Sequence, residues 1–182
     1  MKIIDAHFHM FPATPFGEAR LKAVGHKTGF PYLQEYYKAH GFVHGVIMGN
    51  GSTDPKEHQV PEGFHYCIGL DHIGDDPAHI TANLDNVEKN PNVAADLSGL
   101  LEGVKDLDSY FEEQAAYVMM LRGWMAYVED WSRFMFGTDF PAVNLQNYAD
   151  FCMRLVPERH WDAFFFDNAN RIYQLGLQGT TD

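Results

Sequence analysis

The sequence is poor in cysteine and in basic residues, and it has no long uninterrupted apolar run. Its two cysteines, Cys67 and Cys152, lie far apart and show no CxxC or zinc-finger spacing, which excludes a disulfide framework and a cysteine-rich zinc cluster as organising features. Free buried thiols are the simpler expectation. Thirteen Lys and Arg stand against 25 Asp and Glu, a formal charge of -12, which argues against nucleic acid or an anionic membrane surface as a partner. No stretch is long and apolar enough to span a bilayer. Met1-Lys2-Ile3-Ile4 meets Asp5 before the apolar core of a signal peptide can form. Gly49-Asn50-Gly51-Ser52 lacks the Lys-Ser/Thr of a phosphate-binding loop, so no nucleotide site is expected there. The expectation these absences leave is a soluble cytoplasmic protein.

What the chain does have is apolar and aromatic mass, with 46% hydrophobic residues in 182, enough to bury the core of one domain spanning 1–182. Short apolar runs centred on Ile3, Val43, Tyr66, Val93 and Met135 read as strands. They alternate with helical patterns, which is the α/β class. Helices are expected over 18–24, over 31–40 with Pro31 in its first turn and Gly41 as its stop, and over 76–89 behind an Asp76 cap. The longest is expected over 109–129, opened by a Ser109/Glu112 capping box and carrying two apolar stripes. Three more follow, over 147–155, 157–165 and 168–175.

The chemistry concentrates at the two ends. In the first strand, Ile3-Ile4-Asp5-Ala6-His7-Phe8-His9, alternate side chains share a face, so His7 and His9 point the same way, roughly 6 to 7 Å apart. Two imidazoles so placed can reach one metal ion. Near the other end, Gly and Pro break an apolar strand around a carboxylate in Gly137-Thr138-Asp139-Phe140-Pro141. Asp139 then sits at the strand's C-terminal mouth, where parallel α/β proteins hold their ligands.

Four segments in order carry a family resemblance: the His7-Phe8-His9 motif, Asn90 to Gly99, Gly137 to Pro141, and the terminal Phe166-Asp167-Asn168-Ala169-Asn170-Arg171-Ile172-Tyr173. Together they resemble the amidohydrolase superfamily, in its branch of metal-dependent hydrolases and decarboxylases. The resemblance implies a TIM-barrel-derived fold with strand one beside the last strand, so that Asp139 completes the pair made by His7 and His9. An eight-stranded barrel seldom has fewer than about 200 residues. The expectation is therefore an incomplete one of about five parallel strands, open or partial, with exposed edges that a homodimer would close.

The resemblance also implies that the middle βα units are missing, and with them the family's fifth-strand histidine. His72, in His72-Ile73-Gly74-Asp75-Asp76, resembles the turn that carries the family's sixth-strand catalytic histidine. Metal ligation is thus expected of His7, His9 and Asp139, with zinc as the default for nitrogen and carboxylate donors. Catalytic work is expected of Asp139 as proton acceptor and of His72 as substrate-orienting group. Asp71, Asp96 and His65 read as plain polar residues near strand ends. His26, His40, His44, His58, His79 and His160 read as surface or core histidines. The reaction would be hydrolysis of an amide or ester, or non-oxidative decarboxylation. The rival reading is a non-catalytic shortened relative that associates with itself and binds metal weakly or not at all.

Overall fold

The structure is a computed structural model and describes residues 1–10, 14–48, 60–67, 94–101 and 103–179. The expected helix over 76–89, His72 and the 49–52 turn lie outside the described residues.

Among the described residues there are five strands, all paired in parallel, and six α-helices. In chain order they are β1 (Ile3–Phe8), α1 (Pro15–Ala23), α2 (Phe30–His40), β2 (Phe42–Met48), β3 (Phe64–Cys67), β4 (Ala95–Leu97), α3 (Leu107–Glu113), α4 (Ala115–Val128), β5 (Phe134–Phe136), α5 (Leu145–Leu155) and α6 (Asn168–Ile172). Hydrogen bonding forms two ladders, β1-β2-β3 and β4-β5, both parallel. A parallel bridge between Phe8 and Phe140 brings the two ladders together just past the end of β5. No closed barrel forms among the described residues.

Local chemistry accounts for most of these boundaries. Thr14 caps α1 by accepting from the Gly17 N–H, and Pro15 occupies its first turn, where a missing donor costs nothing. α2 likewise has Pro31 in its first turn and ends at Gly41. Asn144 caps α5 by accepting from the Asn147 N–H, so this helix starts two residues before the expected position.

The expected helix over 109–129 is two helices. Asp106, not Ser109, is the cap, accepting from the N–H groups of Asp108 and Ser109. The chain then breaks at Gln114 before α4 begins. In α4, Val118, Leu121 and Met125 are buried and Tyr117 and Val128 pack partly buried against the core, whereas Met119 and Tyr127 are each 70% exposed. Of the first expected stripe, Phe111, Ala115, Val118 and Arg122, only Val118 is fully buried, and Ala115 and Arg122 are exposed. The expected helix over 157–165 is a 3-10 turn (Glu158–His160) followed by a π-helical turn (Ala163–Asp167).

The sheet packs on both faces. Phe8, Phe42, Phe64, Phe134 and Phe136 join α2, α4 and α5 in the main core, with Phe164 and Phe165 from the π-helical turn. Ile4, Ala6 and Met135 pack instead against Phe166 and Ala169 at the C-terminal helix. Each fully buried Phe contributes roughly 1.5–3 kcal/mol, so the two layers fix the strands from either side. Two polar clamps place the strand ends. The Tyr148 hydroxyl donates to Leu97 O at 3.0 Å, tying α5 to β4. Asn168 Nδ2 donates to Trp131 O and Phe134 O, tying α6 to the start of β5. Cys152 is a buried free thiol, as expected.

Candidate metal centre

β1 runs into the seam between the two ladders, and there its register shifts between Asp5 and Phe8. The Thr138 and Asp139 N–H groups both donate to His7 O, at 2.9 and 2.8 Å, and the His9 N–H donates to Phe140 O at 2.7 Å. These bonds lay the Gly137-Thr138-Asp139-Phe140 segment beside His7 and His9. Nothing in the local pattern of either segment requires this. It is the strand order that does so.

The imidazoles approach with their Nε2 atoms 3.4 Å apart. Asp139 Oδ1 lies 3.8 Å from His7 Nε2 and 3.4 Å from His9 Nε2. His7, His9 and Asp139 form a group that could hold a metal ion, their ligand atoms all within 4.8 Å of one another. The outer nitrogens settle the tautomers. His9 Nδ1 is 2.9 Å from Met48 O, and a carbonyl only accepts, so this nitrogen carries the proton. His7 Nδ1 is 3.2 Å from Asp96 Oδ1, a carboxylate that again takes the proton's hydrogen bond. Both Nε2 lone pairs therefore point inward. With the rings neutral, these lone pairs and the Asp139 carboxylate make three acceptors without a donor among them, an arrangement that a proton or a metal cation relieves. This donor set fits a divalent metal, with each ring oriented by an outer acceptor.

Electrostatics follow the same layout. Burial opposes the charge on His7, but the Asp96 hydrogen bond and the charges of Asp96, Asp139 and Asp5 outweigh it and raise its pKa above the usual histidine value. Asp5 is fully buried, and burial pushes its carboxyl up to about 7 against the opposing pull of hydrogen bonds from Thr138 and His7.

Two glycines make room for the carboxylates. A Cβ on Gly137 would lie 2.8 Å from His7 Cβ and 3.1 Å from Asp96 Oδ1, and one on Gly99 would lie 3.1 Å from Asp139 Oδ2. Asp139 itself adopts a left-handed φ of 58°, uncommon outside glycine and tolerated best by Asp and Asn.

His7, His9 and Asp139 are thus brought together, while His72 lies outside the described residues. Asp96 is not a plain strand-end residue, since it faces His7. Asp5, assigned no role from the sequence, is buried beneath the seam. No pattern along either strand would have found them, because both meet their partners across neighbouring segments. His26 and His44 are core histidines: burial and a neighbouring histidine lower each to about 4.

The fold and this cluster define a parallel α/β chain with a candidate metal centre at the strand mouths. No family model and no curated protein matches the sequence. Among solved structures, a crystal structure from Pseudomonas putida with the provisional designation 2-pyrone-4,6-dicarboxylic acid hydrolase is similar, with a TM-score of 0.67. The match covers 97% of this chain and 99% of that one at 14% identity. It is a likeness of fold, and because it reaches across nearly all of the neighbour it lends no support to the expected shortening.

Proposed function

We propose that the chain is a metal-dependent hydrolase of the amidohydrolase kind, with His7, His9 and Asp139 holding one divalent ion, zinc by default. The observation that carries this reading is the convergence of two Nε2 lone pairs and one carboxylate oxygen whose ring partners, Asp96 and Met48 O, already occupy the other nitrogens. Bound there, such an ion supplies Lewis acidity toward a carbonyl and lowers the pKa of a water from about 15.7 toward about 7.

The residues divide the remaining work. His7 and His9 would offer Nε2 to the ion, because their Nδ1 atoms are committed to Asp96 and Met48 O. Asp139 turns Oδ1 toward the rings and keeps Oδ2 to accept a proton from the attacking water and return it to the leaving group. His72 is assigned the orientation of the substrate and the stabilisation of its developing negative charge. The substrate is a small molecule with an amide or ester carbonyl. Decarboxylation of an aromatic acid uses the same constellation and is the variant to test beside it. In this reading the strands derive from a TIM barrel, and a homodimer covers the open edges.

The non-catalytic alternative has one observation in its favour: among the described residues, three protein ligands meet and no fourth joins them. A panel of amides, esters, lactones and aromatic acids, assayed with and without chelator, separates the two. Turnover that chelation stops and zinc restores supports the proposal. Metal binding without turnover on any member leaves the non-catalytic relative.

A further inference from the structure

The seam that builds the candidate centre has few backbone bonds of its own, yet it holds Asp139 in a left-handed conformation. Such a conformation persists where its surroundings over-determine it. Beneath the seam, the fully buried Asp5 carboxylate gathers four donors from three segments. Its Oδ1 accepts from the Thr138 N–H at 3.0 Å and the His7 N–H at 3.3 Å. Its Oδ2 accepts from the Thr138 hydroxyl at 2.7 Å and, more distantly, from the Tyr37 hydroxyl at 3.5 Å. The Thr138 hydroxyl in turn accepts from the Phe140 N–H at 3.0 Å.

Thr138 and Phe140 flank Asp139 on either side, so both neighbours of the candidate ligand are tied to one buried side chain. The same side chain holds the His7 backbone. Four donors face its two oxygens, one of them, the Thr138 N–H, shared with His7 O. We infer that Asp5 is a positioning residue whose hydrogen bonds to Thr138 and His7 set the placement of Asp139 against the two imidazoles. It touches none of the reacting groups and acts through the backbone on either side of them.

This inference rests on the proposed metal reading, and its test keeps the two apart. Zinc affinity is measured by competition with a chromophoric chelator for the wild-type chain and for Thr138→Val and Thr138→Ser, with Tm recorded for each. Val keeps the volume and removes the hydroxyl that joins Asp5 to the Phe140 N–H, whereas Ser keeps it. The expected result is zinc affinity lower by about 10-fold or more in Thr138→Val and within about 2-fold of wild type in Thr138→Ser.

A core variant far from the seam, Leu155→Ala in α5, is the control. It should lower Tm at least as far as Thr138→Val and leave zinc affinity unchanged. If Thr138→Val does not fold, Asp5→Asn carries the test, since it keeps the shape and Oδ1 but turns a donor toward two hydroxyls; affinity about 5-fold lower or more is expected. Unchanged affinity in the folded variant, or an equal loss in Leu155→Ala, overturns the positioning role. A wild-type chain that takes up no zinc overturns the metal reading on which it rests.

Discussion

Two histidine environments in this chain look alike in composition and differ in what their nitrogens face. His26 is buried in the packing between α2 and α5: its Nδ1 lies 2.7 Å from the Tyr32 hydroxyl, and its Nε2 accepts from the Leu145 N–H at 3.2 Å. Both ring nitrogens are used, and protonation would set a second donor against the Leu145 N–H. His7 and His9 have their outer nitrogens committed in the same way, but their inner nitrogens face each other and Asp139 across 3.4–3.8 Å. A histidine with two complementary partners is structure. A pair whose inner nitrogens meet a carboxylate at a strand mouth is a candidate site.

Replacing both His7 and His9 with Ala should break this comparison most completely. Bound metal should fall from roughly one per chain to near zero by elemental analysis while the circular dichroism spectrum stays native. His26→Ala should do the reverse, retaining metal but losing about 2–4 kcal/mol of stability in urea, because it opens a cavity and strands the Tyr32 hydroxyl and the Leu145 N–H.

Asp96→Asn is a finer cut. It weakens the acceptor for the His7 Nδ1 proton without touching the three ligand atoms, so zinc affinity should drop by about 10- to 100-fold with the same stoichiometry at saturation. In Gly137→Ala the new methyl is forced against His7, so isothermal titration should show weaker zinc binding alongside a stability loss of about 1–3 kcal/mol.

The smallest expected effect is the share of the pH dependence that the core histidines contribute. The folded-state pKa of His26, about 4, lies below its ordinary value of 6.5, and the same holds for His44. The unfolded chain therefore takes up these protons first. The stability that the neutral rings contribute is present above pH 6.5 and is lost as pH falls from there through about 4. The buried Asp5 carboxyl, raised to about 7, works in the opposite direction over the same range, so the histidine contribution is read as a difference: between pH 7 and pH 4.5 the urea midpoint should shift less toward instability in the His26→Ala variant than in wild type.

The comparison also explains what could be read from the amino acids alone. β1, β2, β3 and β5 stand out as short apolar runs with turn residues at their ends, and α2 is framed by Pro31 and Gly41. His7 and His9 share a face by simple alternation. The break at Gln114 is hidden because Ala115 to Val128 continues the helical pattern without a breaker at its start. Asp5 and Asp96 were illegible for a different reason. Their roles depend on which strands lie side by side, and no run of residues along one strand encodes its neighbour. Asp96 meets His7 only because β4 pairs with β5 and β5 runs into β1.

The central claim is that the two ends of the chain meet to hold a metal ion. The most direct test is the metal content of untagged protein purified without added metal, read by elemental mass spectrometry. The account predicts roughly one zinc, manganese or iron per chain, lost in the His7→Ala/His9→Ala variant. A content near zero that added zinc does not restore would contradict it, and the converging lone pairs would then need another explanation.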